Sequence, residues 1–394
     1  MVALWAFIYL FGKTVPKKLK QFPGQKRIIC WPGSYHDILL LMVFLQPLYM
    51  LIMSAEMKID LDQINRLLII QIRPFGDVLL NTAYLPVLRK RLPHAKIDLL
   101  VKHPYQHILD NNPYIDDCVV FGDKSNRPGW LEKLQLFVRV RRRRYDLVID
   151  QIQGSTSAQI VLFSGAPFRI ASSETRWRFL YNNTVPYRGK RYSASMKFDL
   201  LQPLGIGESS YQLDYTIHPA STAYIQEWLK DYSLEDKPFV CISPGSPRQK
   251  KKWDARCYAQ LADLISEKLN RQVVLLWGPN EKKDAERIGS NMKCRPLLAP
   301  PTDFNQAAAL LKACELLVCN DGGLNHLSVA TQTPSLAIFG NTSPVTWSPG
   351  SVFPHHHHLH NPDWPKMSDN LFGVTPAEAF DKVQAIIAQI HPKF

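Results

Sequence analysis

Residues 313–340 read ACELLVCNDGGLNHLSVATQTPSLAIFG, and this stretch decides the fold of the chain. The apolar run Leu316–Cys319 predicts a strand buried on both faces. In the next segment, Asn320–Gly323, two glycines allow a tight turn and a close approach of the backbone to a ligand. Leu324–Thr331 predicts a helix and Ser335–Phe339 a second buried strand. Strand, turn, helix and strand form half of a nucleotide-binding α/β layer, whose helix N-terminus directs free N–H groups at the ligand.

The same alternation of strands and helices continues on the N-terminal side of this stretch. The further predicted strands are Arg66–Ile72, Lys96–Val101, Cys118–Phe121, Tyr145–Asp150, Phe239–Ser243 and Val273–Trp277. The predicted helices are Val78–Leu92, His103–Asp110, Trp130–Arg144, Tyr258–Leu269, Glu281–Ile288, Asn305–Lys312 and Pro376–Ile390. Such alternation predicts parallel, doubly wound sheets. We expect one domain over residues 58–220, a second over 235–394, and an interdomain connection within 205–237.

Residues 1–57 differ from the rest of the chain. The apolar run Val2–Phe11 precedes a lysine-rich segment, which is the wrong order for a secretory signal. A second apolar run, Ile38–Met53, is short for a bilayer span of about 20 residues. We therefore predict a peripheral membrane anchor, with lysines against anionic headgroups. A spanning helix and a translation start near Met53 or Met57 remain open as alternatives.

The amino-acid composition indicates which class of molecule the chain binds. The chain has 394 residues, enough for two domains, and its formal charge of +13 suits an anionic partner. Zinc-finger, RNA-binding and helix-turn-helix patterns do not occur, so a nucleic acid is not expected. Seven scattered cysteines are typical of a reducing compartment. The histidine run His355–His358, with His360, lies in a proline-rich context and predicts an exposed loop.

The residues Asp321–Leu327, followed by Pro334 and Phe339–Gly340, resemble the C-terminal motif of the bacterial ADP-heptose–lipopolysaccharide heptosyltransferases, glycosyltransferase family nine. The resemblance covers residues 64–385. It implies the GT-B fold, in which two Rossmann-like domains face a cleft and ligands bind beyond the carboxyl ends of the strands. It also implies an inverting, metal-independent enzyme without a cofactor. Its donor would be ADP-heptose and its acceptor the inner core of lipopolysaccharide, at the cytoplasmic face of the inner membrane.

Asp77 is the candidate catalytic base. It follows the first predicted strand at a strand-to-helix junction, where a carboxylate can face the cleft and accept a proton. Asp at such a junction is also a common N-cap, which is the structural alternative. The resembling family carries a Gly-Asp-Val motif at this place, so the resemblance implies that Asp77 is the base. Gly76 permits a close approach of the backbone in either role.

The loop Ser243–Trp253 is the candidate diphosphate site. The Ser246 hydroxyl and the cations Arg248 and Lys251 are suitable donors for phosphate oxygens. The family places its phosphate-binding lysine two positions before a tryptophan, which is Lys251 here, and leaves Lys250 and Lys252 as solvated neighbours. The alternative is an exposed basic loop without a ligand. An electrostatic clamp of this kind can stabilise the leaving diphosphate without a divalent metal.

Two further elements are expected to contact the donor. The resemblance assigns the ribose hydroxyls to Glu281, although a Glu in a first helical turn is also expected from the helix dipole alone. In the motif of residues 321–327, Asp321 is assigned to sugar hydroxyls, because a carboxylate repels phosphate. The amides expected to border the diphosphate are those of Gly322, Gly323 and Leu324. His326 is either a donor contact or a core histidine with its hydrogen bonds satisfied.

The arginines of the first domain have more than one possible role. Arg139 with Arg141–Arg144 form either a solvated helix face or a surface that attracts phosphorylated acceptor or membrane. Arg169, Arg176 and Arg178 are additional acceptor-side candidates. Two other functions remain open: a GT-B glycosyltransferase that uses another nucleotide sugar for a surface glycan, and a non-catalytic nucleotide- or glycan-binding protein.

Overall fold

A computed structural model describes residues 58–122, 129–246, 248–363 and 370–390. The predicted extension of residues 1–57 lies outside the described residues. The described chain forms two six-stranded parallel sheets, with strand orders β3-β2-β1-β4-β5-β6 and β12-β11-β10-β7-β8-β9. Within the described ranges, no helix combines the length and the apolar character needed to cross a membrane.

The first sheet is formed by the N-terminal half of the chain. Its strands are β1 Arg66–Gln71, β2 Lys96–Lys102, β3 Asp117–Phe121, β4 Leu147–Asp150, β5 Phe168–Ser172 and β6 Asn183–Val185. The α-helices of this half are α1 Phe75–Leu79, α2 Leu85–Arg91, α3 Trp130–Arg142, α4 Ser155–Ser164 and α5 Ser193–Lys197. Apolar side chains on both faces of β1 are buried, since helices cover both sides of the sheet.

The second sheet is formed by the C-terminal half. Its strands are β7 Phe239–Ser243, β8 Gln272–Leu275, β9 Leu297–Leu298, β10 Leu316–Asn320, β11 Ser335–Phe339 and β12 His356–His360. The helices are α6 Pro219–Asp231, α7 Ala255–Leu269, α8 Lys282–Gly289, α9 Phe304–Ala313, α10 Gly323–Ala330, α11 Pro344–Trp347 and α12 Pro376–Ile390. Strand order reverses between β1 and β4 in the first sheet and between β7 and β10 in the second. In such sheets a ligand crevice lies beyond the carboxyl ends of these central strands.

All predicted strands are confirmed, and their ends differ from the prediction by at most two residues. The predicted helix over Val78–Leu92 is broken, because Pro86 lies in the first turn of α2 and the chain passes through a 3-10 turn at Leu80–Ala83. The prediction for His103–Asp110 is also only partly right, since this segment contains a 3-10 turn over Tyr105–Leu109.

Three features of the fold were not predicted correctly from the sequence. The elements α4, β5, β6 and α5 were not predicted, and the segment expected as an interdomain connection contains α6, which packs against α9. The prediction of an exposed loop at the histidine run is wrong. The run forms β12, paired in parallel with β11, and His356 is buried and hydrogen-bonded to Ser335.

Candidate functional site

The two crevices face each other, and their glycine turns are in direct contact. A Cβ atom placed on Gly76, in the first turn of α1, would lie 3.3 Å from the Cα of Gly323 at the start of α10. A Cβ on Gly323 would lie 2.5 Å from Cδ1 of Phe75. The two turns can approach this closely only because neither carries a side chain. The contact brings Asp77, the residue after Gly76, close to the motif of residues 321–327 in the second domain.

Asp77 lies in the first turn of α1. The N-cap of this helix is Pro74, so Asp77 does not have the capping role that was its structural alternative. Asp77 lines a cavity of about 240 Å³ between the two domains, to which α11 contributes Trp347. Within the described residues, the Asp77 carboxylate has no hydrogen-bond or ion-pair partner. Its oxygens are therefore available to a hydroxyl group bound in the cleft.

Lys197 lines the same cavity and was not found from the sequence. It ends the short helix α5, where the Gln151 side chain donates a hydrogen bond to its backbone carbonyl over 3.2 Å. Burial lowers the pKa of Lys197 to about 8; the charge of Asp77 opposes this shift and that of Arg73 adds to it. The only sequence signal was a single lysine within the apolar pattern of residues 192–201.

The candidate diphosphate loop is held at both ends by one buried side chain. The Asn320 amide nitrogen donates to the Pro244 carbonyl over 2.7 Å, and its oxygen accepts from the Trp253 amide over 2.9 Å. Asn320 ends β10, and Pro244 follows β7, its neighbour in the sheet. This role of Asn320 was missed, since no local pattern distinguishes a loop-holding asparagine from a turn residue.

The charged side chains of this loop form two ion pairs. The Lys251 ammonium lies 2.5 Å from Asp321 Oδ2, and the Thr342 hydroxyl donates to the same oxygen over 2.6 Å. Lys252 pairs with Asp284 over 2.6 Å, so the prediction of a solvated Lys252 is wrong. Lys251 therefore connects the candidate diphosphate loop to the motif of residues 321–327.

Ser246 and Arg248 lie on the same loop with different exposure. Ser246 is buried, and its oxygen accepts a hydrogen bond from the Arg248 amide over 3.3 Å, which leaves its hydroxyl hydrogen free to donate. Arg248 is exposed, and its guanidinium has no ion-pair partner within the described residues. Gly322 is the N-cap of α10, and Gly323 and Leu324 are its first two residues. Amides at this position have no acceptor within the helix.

The Glu281 carboxylate lies against two glycine turns. The Gly278 amide donates to its Oε2 over 3.2 Å, and a Cβ on Gly245 would lie 2.0 Å from the same oxygen. Burial raises the pKa of Glu281, while the Gly278 hydrogen bond and the Lys252 charge oppose the rise. Because Gly245 belongs to the candidate diphosphate loop, the structure brings Glu281 into contact with that loop.

His326 is buried at the contact between the domains. Its Nδ1 lies 2.9 Å from the hydroxyl of Tyr192, which belongs to the first domain. A Cβ on Gly76 would lie 3.1 Å from His326 Cδ2, so the imidazole also packs against the turn that carries Asp77. The side chain thus joins the two domains through its Nδ1 atom; a contact with the donor stays a prediction.

Four charged groups surround His326. Burial lowers its pKa to about 4; the carboxylates of Asp321 and Asp77 oppose this shift, and the ammonium groups of Lys251 and Lys197 add to it. The imidazole is therefore neutral at pH 7. Two of these charged residues come from each half of the chain, so two carboxylates and two lysines converge at the interdomain contact.

The candidate acceptor-side arginines have separate environments. Arg169 is buried, and its guanidinium donates to the carbonyls of Leu180 and Ala166, so the prediction that it binds an acceptor is wrong. Arg176 is exposed and stacks on the Trp177 ring. The remaining candidate, Arg178, is exposed.

The sequence model of glycosyltransferase family 9 (heptosyltransferase) matches residues 133–370, more than half of the chain. The chain belongs to this family. Lipopolysaccharide heptosyltransferase 3 of Escherichia coli is 27% identical over 289 residues, which are 70% of this chain and 84% of the relative. Lipopolysaccharide heptosyltransferase 2 of Escherichia coli (strain K12) is 25% identical over 350 residues, or 80% and 96% of the two chains.

Solved structures of family 9 proteins share the architecture. The family 9 glycosyl transferase from Veillonella parvula superposes with a TM-score of 0.73 at 22% identity and covers 84% of this chain and 99% of its own. The E. coli ADP-heptose lps heptosyltransferase II has a TM-score of 0.66 at 22% identity, with coverage of 82% and 99%. The predicted GT-B fold is confirmed, and family membership confirms the predicted enzyme class, a glycosyltransferase.

Proposed function

We propose that this family 9 enzyme transfers heptose from ADP-heptose to the inner core of lipopolysaccharide by an inverting, metal-independent displacement. The observation that carries the proposal is the contact between Gly76 and Gly323, which brings the turn of Asp77 against residues 321–327 of the other domain. Asp77 comes from the first domain, and the Lys251–Asp321 pair comes from the second. A base and a cationic phosphate site on opposite sides of a cleft are what a direct sugar transfer requires.

In the proposed reaction, the Asp77 carboxylate accepts the proton of the acceptor hydroxyl. The acceptor oxygen attacks the anomeric carbon of heptose on the face opposite the diphosphate. The bond between this carbon and the diphosphate oxygen breaks, and ADP leaves with both electrons. A single displacement of this kind inverts the anomeric configuration.

Positive charge on the second domain stabilises the leaving diphosphate. The contributing groups are the exposed Arg248, the Lys251 ammonium, the Ser246 hydroxyl and the free amides at the start of α10. These groups supply the charge without a metal ion. When the donor binds, Lys251 turns from Asp321 toward the diphosphate, and the released Asp321 carboxylate accepts hydroxyl groups of the heptose. Glu281 binds the ribose hydroxyls.

The proposal assigns the acceptor to residues 58–220 and the donor to residues 235–394. It places the enzyme in the cytoplasm, at the inner face of the cytoplasmic membrane, because the acceptor core is carried by a membrane lipid. Support for this location comes from the chemistry of the acceptor and from the net charge of +13, which suits an anionic surface.

The first test is a calorimetric titration of the protein with ADP, UDP and GDP and their sugar conjugates, in the presence of a chelator. Selective binding of ADP and ADP-heptose is expected. Transfer of heptose to a heptose-free core acceptor, with the anomeric configuration read by NMR, then tests the reaction and its stereochemistry. Preference for UDP or GDP would favour the alternative, a GT-B enzyme that uses another nucleotide sugar.

A further inference from the structure

Helix α3 is apolar on two opposite sides. Its inward side chains, Leu136, Phe137 and Val140, are buried in the core of the first domain. On the opposite side, Leu131, Leu134 and Val138 share one stripe through their spacing of three, four and seven residues. Their exposed fractions are 54%, 45% and 42%, and Trp130 at the start of the helix is 73% exposed. We call these four residues the outer face of α3.

The outer face is unusual for this protein. The described residues include ten large apolar side chains that are exposed, and four of the ten belong to this one helix. Single exposed apolar residues are common on soluble domains, whereas a contiguous stripe marks a binding surface. Nothing in the interior of the first domain requires the stripe, because the opposite side of the helix already fills the core.

Cationic groups border the outer face. An open groove of about 650 Å³ lies along Leu134 and Val138 and is also lined by Arg66, Gln135, Arg139, Arg142 and Arg143. Arg143 is neutralised by ion pairs with Asp98 and Asp117. Arg139 is exposed and donates to the uncharged Val120 carbonyl, and Arg142 has no ion pair within the described ranges. Apolar side chains next to unneutralised guanidinium groups match a surface with acyl chains beneath anionic headgroups.

We propose that the outer face of α3 docks on the surface of a bilayer that contains anionic phospholipid. The inference rests on the proposed function in one respect, because a lipid-linked acceptor explains why the enzyme would lie on a membrane. The aromatic ring of Trp130 suits the headgroup region, while Leu131, Leu134 and Val138 enter the acyl boundary. Arg139 and Arg142 bind the phosphate groups beside them.

Two other occupants of this surface fit less well. Residues 1–57 contain six Lys or Arg against two Asp or Glu, so their net charge has the same sign as Arg139 and Arg142. A second copy of the chain in a symmetric contact would place the same guanidinium groups opposite each other. An anionic bilayer is the occupant whose charge complements the surface.

The test is co-sedimentation of the full chain with vesicles of phosphatidylcholine alone or with 30% phosphatidylglycerol. One variant removes apolar contacts (Leu131→Ser, Leu134→Ser, Val138→Ser), and another reverses charge (Arg139→Glu, Arg142→Glu). The matched control, Lys268→Glu with Lys312→Glu, makes the same change in net charge at exposed positions of the second domain. Residues 1–57 are present in wild type and in every variant. The ratio of vesicle partitioning between a variant and wild type therefore measures the contribution of the substituted residues of α3.

Wild type is expected to bind vesicles with phosphatidylglycerol more tightly than those without it. Each α3 variant should lose about 10-fold or more in partitioning to phosphatidylglycerol vesicles, and the control should stay within about twofold. A photoreactive amino acid at position 134 should form adducts with lipid. If both α3 variants partition to phosphatidylglycerol vesicles as strongly as wild type does, the proposal is overturned. Adducts with residues 1–57 or with a second copy of the chain also overturn it.

Activity separates this inference from the proposed function. On a soluble acceptor without its lipid, the variant that removes apolar contacts should turn over as wild type does, because Leu131, Leu134 and Val138 are not among the proposed catalytic or binding residues. If wild type transfers no heptose while its vesicle binding still depends on α3, the proposed function fails and the docking surface stands. If transfer is normal and vesicle binding is independent of α3, only the docking surface fails.

Discussion

The ammonium group of Lys251 and the carboxylate of Asp321 form an ion pair of 2.5 Å in which only 17% and 4% of the two side chains are exposed. This pair resolves an apparent conflict in the sequence, where a carboxylate is expected beside phosphate groups. Before the donor binds, the lysine neutralises the carboxylate. In the proposed mechanism an incoming diphosphate competes for the lysine, so donor affinity would measure the difference between two ion pairs.

The first prediction concerns this pair. Lys251→Met should weaken ADP binding by about 10- to 100-fold, because a charge-assisted hydrogen bond to phosphate is lost. It should also lower the melting temperature, since Asp321 is left buried without its cation. Adding Asp321→Asn should recover the melting temperature and leave ADP binding weak. Calorimetry and thermal unfolding measure both effects, with the exposed Lys250→Met as control. Unchanged ADP affinity in Lys251→Met would place the phosphate site elsewhere.

The second prediction concerns the base. Asp77→Asn should lower kcat by about 10²- to 10⁴-fold, the range for loss of general base catalysis. Binding of ADP should remain within about twofold of wild type, because Asp77 belongs to the first domain and is proposed to act on the acceptor hydroxyl. Steady-state kinetics with ADP-heptose and a soluble acceptor check this, and the exposed Asp231→Asn is the control. Wild-type turnover by Asp77→Asn would remove it from the mechanism.

The third prediction concerns the buried Lys197. Its pKa of about 8 means that the ammonium form is lost as pH rises through 8. If this positive charge assists turnover in the cleft, kcat/KM should fall on the alkaline side of about pH 8. Lys197→Arg should keep activity to higher pH, and Lys197→Met should reduce activity at pH 7. A pH–rate profile with identical alkaline limbs in wild type and Lys197→Arg would contradict this.

The same residue gives a prediction for stability. The folded-state pKa of Lys197 lies below the ordinary value of 10.5, so between about pH 8 and 10.5 the unfolded chain binds more protons than the folded one. Burial of the charged Lys197 therefore destabilises the fold below about pH 8. This destabilisation decreases as the pH rises. Lys197→Met should raise the melting temperature at pH 7 while it lowers activity. If Lys197 had a purely structural role, Lys197→Met would lower both the melting temperature and the activity.

The fourth prediction concerns the contact between the glycine turns. Gly323→Ala places a Cβ 2.5 Å from Phe75, whose ring is stacked on Phe304 at 4.2 Å and has little room to move. We expect a loss of about 1–3 kcal/mol in the free energy of unfolding, the range for overpacking, together with lower kcat. Thermal unfolding and kinetics measure these effects. Gly207→Ala is the control, because its Cβ would meet nothing within 4 Å. Wild-type behaviour of Gly323→Ala would show that the close contact is dispensable.

The sheets were predictable because their central strands are continuous apolar runs. Leu316–Asn320 and Phe239–Ser243 are buried throughout, and such runs between turn signals have few other interpretations. Family resemblance then located the motifs that carry Asp77, Lys251 and Asp321. The structure brings these motifs to one cleft, as two facing doubly wound sheets require.

The remaining features depend on contacts between distant residues. The histidine run lacks the alternation of a strand, and it pairs with β11 because that edge of the sheet is open to it. Lys197 is recognisable only once Asp77 lies across the cavity. Asn320 acts on a loop about 70 residues earlier in the chain. In each case tertiary contact, not local propensity, determines the role of the residue.

The contact of Gly76 with Gly323 also has a consequence for synthesis of the protein. All six strands of the first sheet are complete when residue 185 has been translated, yet the turn that carries Asp77 meets its partner only after residue 323. At ribosomal rates of about 5–20 residues per second, roughly 10–50 s separate the appearance of the two glycines. For most of that interval, until residue 304 has been translated, the Phe75 ring lacks its stacking partner Phe304. The contact between the two domains therefore forms only after most of the chain has been synthesised.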